Sequence, residues 1–246
     1  MSNESKSSVR KASWTIIMKR ELAAYFTSPV AYIVCVLFLA FAGFFFFQTF
    51  FISRRAELRG FFSLLPILFA VFVPALTMRV FSEEKRSGSL ETLMTLPVTP
   101  NQVVAGKYLA SFVSAAVLLV PTLSYVVTCA VFGTPDFGPI IGGYLGAVLL
   151  AASFSAIGVF ASAITKNQIL SFFVALAICL ALSLVSFFSV LLPSPLVSFI
   201  TFISASEHFD SISRGIIDSR DVLYFLSVTA IFLVLTVRTV RGERRS

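Results

Sequence analysis

Charge is what this chain has least of. Only 13% of its 246 residues are Asp, Glu, Lys or Arg, while 57% are hydrophobic, more apolar surface than a soluble core of this length needs. Histidine occurs once, at His208, between Glu207 and Asp210 in a connecting segment. The apolar segments therefore lack the nucleophile–base pair or metal ligands of an intramembrane hydrolase. Cys35, Cys129 and Cys179 lie singly in apolar runs without pairwise spacing, which supports neither a disulfide framework nor a metal site. No G-x-x-x-x-G-K-[ST] phosphate loop is present, so the chain is not itself a P-loop ATPase. Mid-span ionisable groups, which an ion-coupled transporter would use, are almost absent, and Gln48 is the main polar side chain there.

What is present is long apolar runs, rich in 28 phenylalanines. Six stretches reach the roughly 20 residues that a ~30 Å hydrocarbon core requires. They are Val30 to Ile52, Phe61 to Val80, Tyr108 to Phe132, Ile140 to Ile164, Ile169 to Leu192, and Val222 to Val240. Backbone groups in lipid must be bonded within the segment, and the alternation of barrel strands is missing, so the stretches are expected to be helices. The first run is too long, and lacks the small-residue site, for a cleaved signal peptide.

The net charge of +7 is topological, because the basic residues gather at segment ends and termini and form no continuous face for nucleic acid. Lys6, Arg10, Lys11, Lys19 and Arg20 precede the first span, and Arg238, Arg241, Arg244 and Arg245 follow the last. An even number of spans with these flanks puts both termini in the cytoplasm. Lys85, Arg86, Lys107 and Lys166 then fall inside, and Arg54, Arg55, Arg59, Arg214 and Arg220 outside, the first three dissenting from the rule.

Ahead of the first span, Trp14, Ile17, Met18, Leu22, Tyr25 and Phe26 recur at helical spacing, which predicts an amphipathic helix in the headgroup layer. Glu21 lies within that apolar stripe, so it is either paired with a donor from another helix or turned toward protein. Gly142 and Gly146 form a small-xxx-small pair suited to intramolecular helix packing. Residues 193 to 221 suit a short re-entrant or interfacial hairpin on the outer side, with Asp218 and Asp221 as caps of the last span.

The most informative stretch joins the second and third spans. A charge at mid-bilayer costs on the order of 2.5 to 3.5 kcal/mol, so Glu83, Glu84, Lys85 and Arg86 must form an elbow outside the hydrocarbon. Gly88 can break one helix and Ser89 cap the next, with Glu91 near its positive end, predicting a short helix from about Leu90 to Leu96 that Pro97 stops. Thr99, Pro100 and Gln102 then supply a second start of the capping-box kind. A brief helix carrying Leu90, Leu93, Met94 and Leu96 suits a groove on a soluble partner.

In Glu83, Glu84, Lys85, Arg86, Gly88, Ser89, Glu91, Leu93 and Pro97 the chain resembles the permease subunits of type-2 ABC transporters. Lys19 to Leu22, Phe26 to Pro29, Pro74 to Arg79, and His208 to Gly215 with Asp218 and Asp221 extend the resemblance to the gliding-motility-type permease subgroup. The resemblance implies an all-α membrane protein, a single permease domain over 1–246. Residues 1–29 would be cytoplasmic tail and interfacial helix, 30–240 a six-span bundle, and 241–246 a cytoplasmic tail in the bacterial plasma (inner) membrane. It implies a coupling helix between spans 2 and 3 that docks on an ABC ATPase, with two ATPase subunits and two permease units, the second a copy or a related chain. ATP and Mg would bind that partner, and this chain would bind no cofactor or metal and catalyse nothing. The residues expected to shape or touch the ATPase contact are Glu83, Glu84, Arg86, Gly88, Ser89, Glu91, Leu93 and Pro97. Trp14, Glu21 and Tyr25 would mark the interfacial helix, and His208, Arg214, Asp218 and Asp221 a face for an outer companion protein. The work done would be export or mechanical, on an unspecified substrate. The competing reading is a membrane scaffold or assembly factor of an envelope complex.

Overall fold

The computed structural model describes residues 3–53, 57–90, 98–133, 135–187, 200–216 and 218–243, the side chains of 3–13 and 53 excepted. The described residues are helical and include no strand. In chain order the helices are α1 (Asn3–Thr27), α2 (Pro29–Ser53), α3 (Arg59–Thr77), α4 (Ser82–Ser87), α5 (Pro100–Val117), α6 (Leu123–Phe132), α7 (Phe137–Ile164), α8 (Gln168–Leu184), α9 (Ala205–Ser213) and α10 (Ser219–Glu243).

Five helical stretches are long and apolar enough to cross a membrane: Pro29–Ile52, Arg59–Ser87, Phe137–Ile164, Gln168–Phe187 and Ser219–Glu243. They coincide with five of the six expected stretches. The run from Tyr108 to Phe132 departs from expectation, because it is not one helix. α5 begins early, at Pro100, where Thr99 Oγ1 accepts from Gln102 N and Gln102 Oε1 accepts from Thr99 N in a reciprocal box. It ends before Pro121, which has no N–H with which to continue the ladder. Residues 118–125 turn on i→i+3 bonds, including Leu118 N to Ala115 O at 3.2 Å and Thr122 N to Leu119 O at 3.1 Å. Thr122 Oγ1 lies 3.1 Å from Tyr144 Oη, which ties this turn to α7.

α7 is the axis, packed against α3, α5, α8, α9 and α10. Its small residues explain why. A Cβ at Gly158 would fall 1.9 Å from Thr77 Oγ1, and one at Gly143 2.5 Å from the Phe62 ring, so α3 crosses in near-contact with the α7 backbone. In lipid, where tails are as apolar as leucine, such close packing is a main source of helix association. α2 is peripheral: Phe38 and Phe46 turn inward, edge-on to Phe72 and stacked on Tyr125, while Phe41, Phe44 and Phe51 are exposed as lipid would accept.

At the start of α7, the missing side chains of Gly142 and Gly146 admit α9. The Ile212 carbonyl sits 2.3 Å from where a Gly142 Cβ would be, and the Phe209 ring 3.2 Å from that of Gly146. The small-residue pair is thus an intramolecular seat. Of the expected outer hairpin, the second half is α9, and residues 188–199 lie outside the described residues. With 28 residues, α7 is about 42 Å long at 1.5 Å per residue, so its two ends are separate sites.

Candidate functional site

The C-terminal end of α7 carries the elbow. α4 places Glu83 and Glu84 in its first turn and Lys85 and Arg86 in its last, the arrangement that matches a helix dipole. Gly88 follows at φ 72°, a left-handed cap that a side chain would strain. Ser89 and Leu90 are helical again, while Glu91, Leu93 and Pro97 lie outside the described residues, as does most of the expected coupling helix.

The bend between α3 and α4 is pinned by one hydroxyl. Ser162 Oγ, fully buried, accepts from Phe81 N at 2.9 Å and Ser82 N at 3.0 Å and donates to Met78 O at 3.1 Å. Helix starts leave N–H groups without intrahelical partners, and here a side chain from another span supplies the acceptor.

Lys107, on α5, is the centre of the site. Its side chain is 1% exposed, and Nζ donates to Glu21 Oε1 at 3.0 Å, Glu84 Oε1 at 2.9 Å and Val80 O at 2.8 Å. It lies 5.2 Å from the Phe81 ring centroid. Arg20 reaches both carboxylates from the exposed side, at 3.0 Å and 3.3 Å. Two cations and two carboxylates therefore balance, and a buried ammonium is tolerated because all its donors are used. The bridge joins α1, the elbow and α5. It also answers the anomaly of Glu21 in an apolar stripe, which is paired with a cation from another helix.

α1 reaches that position by packing on α5. The Trp14 carbonyl and Ile17 side chain sit 2.8 Å and 2.9 Å from where a Gly106 Cβ would be. Tyr25 Oη lies 3.2 Å from Ser111 Oγ, and burial raises the Tyr25 phenol well above its ordinary pKa, so it serves as a neutral hydrogen-bonding group. Lys85, almost fully buried, donates to the Ala163 carbonyl at the end of α7 and to Glu243 Oε1 at the end of α10. The elbow is thus held to α1 and α5 through Lys107, and to α7 and α10 through Ser162 and Lys85.

Of the expected contact residues, Glu84 is brought into this network with Glu21, and Tyr25 lies beside it. Glu83, Arg86, Gly88 and Ser89 are exposed. In the sequence Lys107 reads only as a topological charge, and nothing singles out Ser162. A lysine two turns inside a capped apolar helix and a glutamate inside an apolar stripe are complementary anomalies, and pairing them would have found the bridge. Ser162, one of several serines in a Gly- and Ala-rich span, gives no such signal.

The opposite end of α7 divides the four remaining candidates. His208 Nδ1 pairs with Asp221 Oδ1 at 2.7 Å, its Nε2 lies 3.0 Å from Phe202 O, and its ring stacks on Tyr224 at 4.1 Å. Asp218 accepts from Arg220 N at 3.0 Å and caps α10. Asp221 does not share that capping role, contrary to expectation, because its carboxylate is drawn to the imidazole. Arg214 is engaged with Asp210 at 2.7 Å on the surface.

No curated protein matches the chain at a significant level. A family model described as ABC-2 family transporter protein matches residues 14–245, covering the second half of α1, the elbow and every long apolar helix. By that match over nearly its whole length, the chain belongs to the ABC-2 family of transporter membrane proteins.

Proposed function

We propose that this chain is the permease subunit of an ATP-driven ABC exporter or ABC-type complex, in which a separate ATPase pushes on the elbow and the bundle does the work of export or of mechanical movement. Members of the family normally work with an ABC ATPase partner. The observation that carries the reading is the wiring of the elbow. A six-residue helix with exposed Glu83 and Arg86 is joined by the buried Lys107 and Lys85 to α1, α5, α7 and α10. A displacement of the elbow must then move, or break with, four helices.

In this reading the segment after Ser89, containing Glu91, Leu93 and Pro97, is the coupling helix, with Glu84 and Glu91 available for charge-assisted contacts to the ATPase. The broken pair α5–α6 makes a sixth crossing beside the five long apolar stretches, so that both termini and the elbow face the cytoplasm, as the basic flanks favour. The complex is two permease units and two ATPases that hold ATP and Mg in the plasma membrane, and the sequence motifs support a kinship with the gliding-motility-type permeases. The whole chain acts as one transmembrane domain, and the His208 end is the surface for any outer companion.

The test is purification of the tagged chain from its native membrane in mild detergent, with ATP hydrolysis assayed with and without Glu91→Lys. A stoichiometric ATPase whose association depends on Glu91 is expected, with the variant still inserted. Absence of any ATPase under several gentle conditions would sink the reading and leave a scaffold.

A further inference from the structure

Beside the Lys107 bridge, between α1, the start of α2, the end of α3 and α4, lies a cavity of about 280 Å³, close to the ~300 Å³ at which small-molecule sites begin. Part of its lining is apolar, from Val30, Ala31, Ala75 and Leu76. Val30 and Ala31 open α2, and Ala75 and Leu76 close α3, both helices being parts of stretches able to cross a membrane. The rest is charged, from Glu21, Arg79, Glu83, Glu84 and Lys107. The cavity therefore spans the level at which acyl chains give way to headgroups.

Its charges are not equivalent. Lys107 is committed to Glu21, Glu84 and the Val80 carbonyl. Arg79, by contrast, has no ion-pair partner among the described residues, and its Nε is buried without an acceptor. Glu84 spends one oxygen on Lys107 and Arg20, while its Oε2 is buried and unpartnered. A donor and an acceptor without protein partners thus sit on two residues that line one cavity, and such groups are costly until water or a ligand meets them.

We infer that the cavity holds the headgroup of an aminophospholipid, a membrane lipid with both a phosphate and a primary ammonium. The Arg79 guanidinium is the planar donor that phosphate oxygens suit. An ammonium brings three N–H donors for the free oxygens of Glu84 and Glu83, and the acyl chains follow Val30, Ala31 and Leu76 into the membrane. A trimethylammonium headgroup has no N–H to give the carboxylates, and a headgroup without a cation would bring only negative charge to them. A free phosphate ester would satisfy the polar groups but leave the apolar lining bare.

The full-length chain in mild detergent, titrated with phosphatidylethanolamine, phosphatidylcholine and phosphatidylglycerol and followed by native mass spectrometry, tests this. Phosphatidylethanolamine should be retained over the other two, and Arg79→Met should lower its retention roughly tenfold, the scale of one charge-assisted hydrogen bond. Arg79→Lys should restore part of the loss, and Glu83→Gln should narrow the preference over phosphatidylcholine. Equal retention of the three lipids, or an Arg79→Met chain that retains as wild type does, would overturn the assignment. Displacement by soluble phosphoethanolamine at comparable concentration would overturn the lipid as its source. Should Arg79→Met not fold, a photoactivatable phosphatidylethanolamine on the wild-type chain should label peptides containing Tyr25 to Ala31 and Ala75 to Arg79, and labelling elsewhere alone would refute the site.

Discussion

Both ends of α7 rest on close glycine packing, with Gly158 against Thr77 toward its end, but they differ in their polar fastening. At its start, α9 is seated against the bare backbone of Gly142 and Gly146, and the carboxylate contacts there, His208 with Asp221 and Arg214 with Asp210, run between neighbouring segments of the chain, with only neutral hydroxyls such as Ser206 to the Ser183 carbonyl reaching further. At its end, the elbow is fastened by buried cations and a hydroxyl that reach across 23 to 158 residues of sequence. Glycine packing has one arrangement and fails by clash. A charge network can exchange partners, since carboxylates, carbonyls and a partner protein's groups are interchangeable acceptors. A machine driven from one end would be built this way, with a rigid far end and a re-pairable near end.

The largest expected effect breaks the near end at its centre. Lys107→Met leaves Glu21 and Glu84 facing each other with only the exposed Arg20, and removing one partner of a buried ionic group costs about 3–5 kcal/mol. Trp14 is the sole tryptophan and lies at the α1–α5 contact, so its fluorescence during thermal unfolding in detergent should report early release of α1. Adding Glu21→Gln and Glu84→Gln should recover a substantial part of the loss, which a double-mutant cycle would measure. If Lys107→Met melts like wild type, the bridge does not hold the elbow.

Next comes the hydroxyl. Ser162→Ala orphans the N–H groups of Phe81 and Ser82 together, and leaving buried donors unsatisfied costs about 1–3 kcal/mol. The same scale of loss, about 1–3 kcal/mol from overpacking, is expected at the far end for Gly142→Ala, whose Cβ would press on the Ile212 carbonyl. The two variants should differ in kind. Gly142→Ala should lower the unfolding midpoint while leaving ATPase stimulation per folded complex intact, whereas Ser162→Ala should reduce stimulation as well. Equal loss of stimulation in both would erase the distinction between the ends.

Much of this architecture was legible because apolar length and capping chemistry are local. The five long helices follow from hydrocarbon thickness, and the start of α5 from Thr99, Pro100 and Gln102 within four residues. The break at Pro121 was not legible, because α3 contains Pro66 and Pro74 and continues through both. What decides is whether tertiary partners hold the alternative, and Tyr144 meeting Thr122 is such a partner. The site was half legible for the same reason. Glu21 stood out as a charge in the wrong stripe, but its partner lies 86 residues away, and the serine that pins the bend is chemically indistinct from its neighbours. His208 and Asp221 were both singled out, yet their pairing displaced the capping role that sequence spacing assigned to Asp221.

The smallest expected effects come from two carboxylate–cation contacts that look alike in sequence. Arg214 with Asp210 is an i,i+4 pair whose side chains are 55% and 44% exposed, so water and salt screen it. Arg214→Gln should leave the unfolding midpoint indistinguishable from wild type. Glu243 with Lys85 has one exposed partner and one that is 5% exposed. Removing the carboxylate strips a buried ammonium of its counter-charge but leaves it the Ala163 carbonyl, so Glu243→Gln should cost up to about 1 kcal/mol and should weaken with rising salt less steeply than a surface pair does. Thermal scans of both variants at low and high salt would measure the difference. A Glu243→Gln chain that behaves like Arg214→Gln at both salts would mean that Lys85 is held by the carbonyl alone, and that the elbow's tie to α10 carries no force.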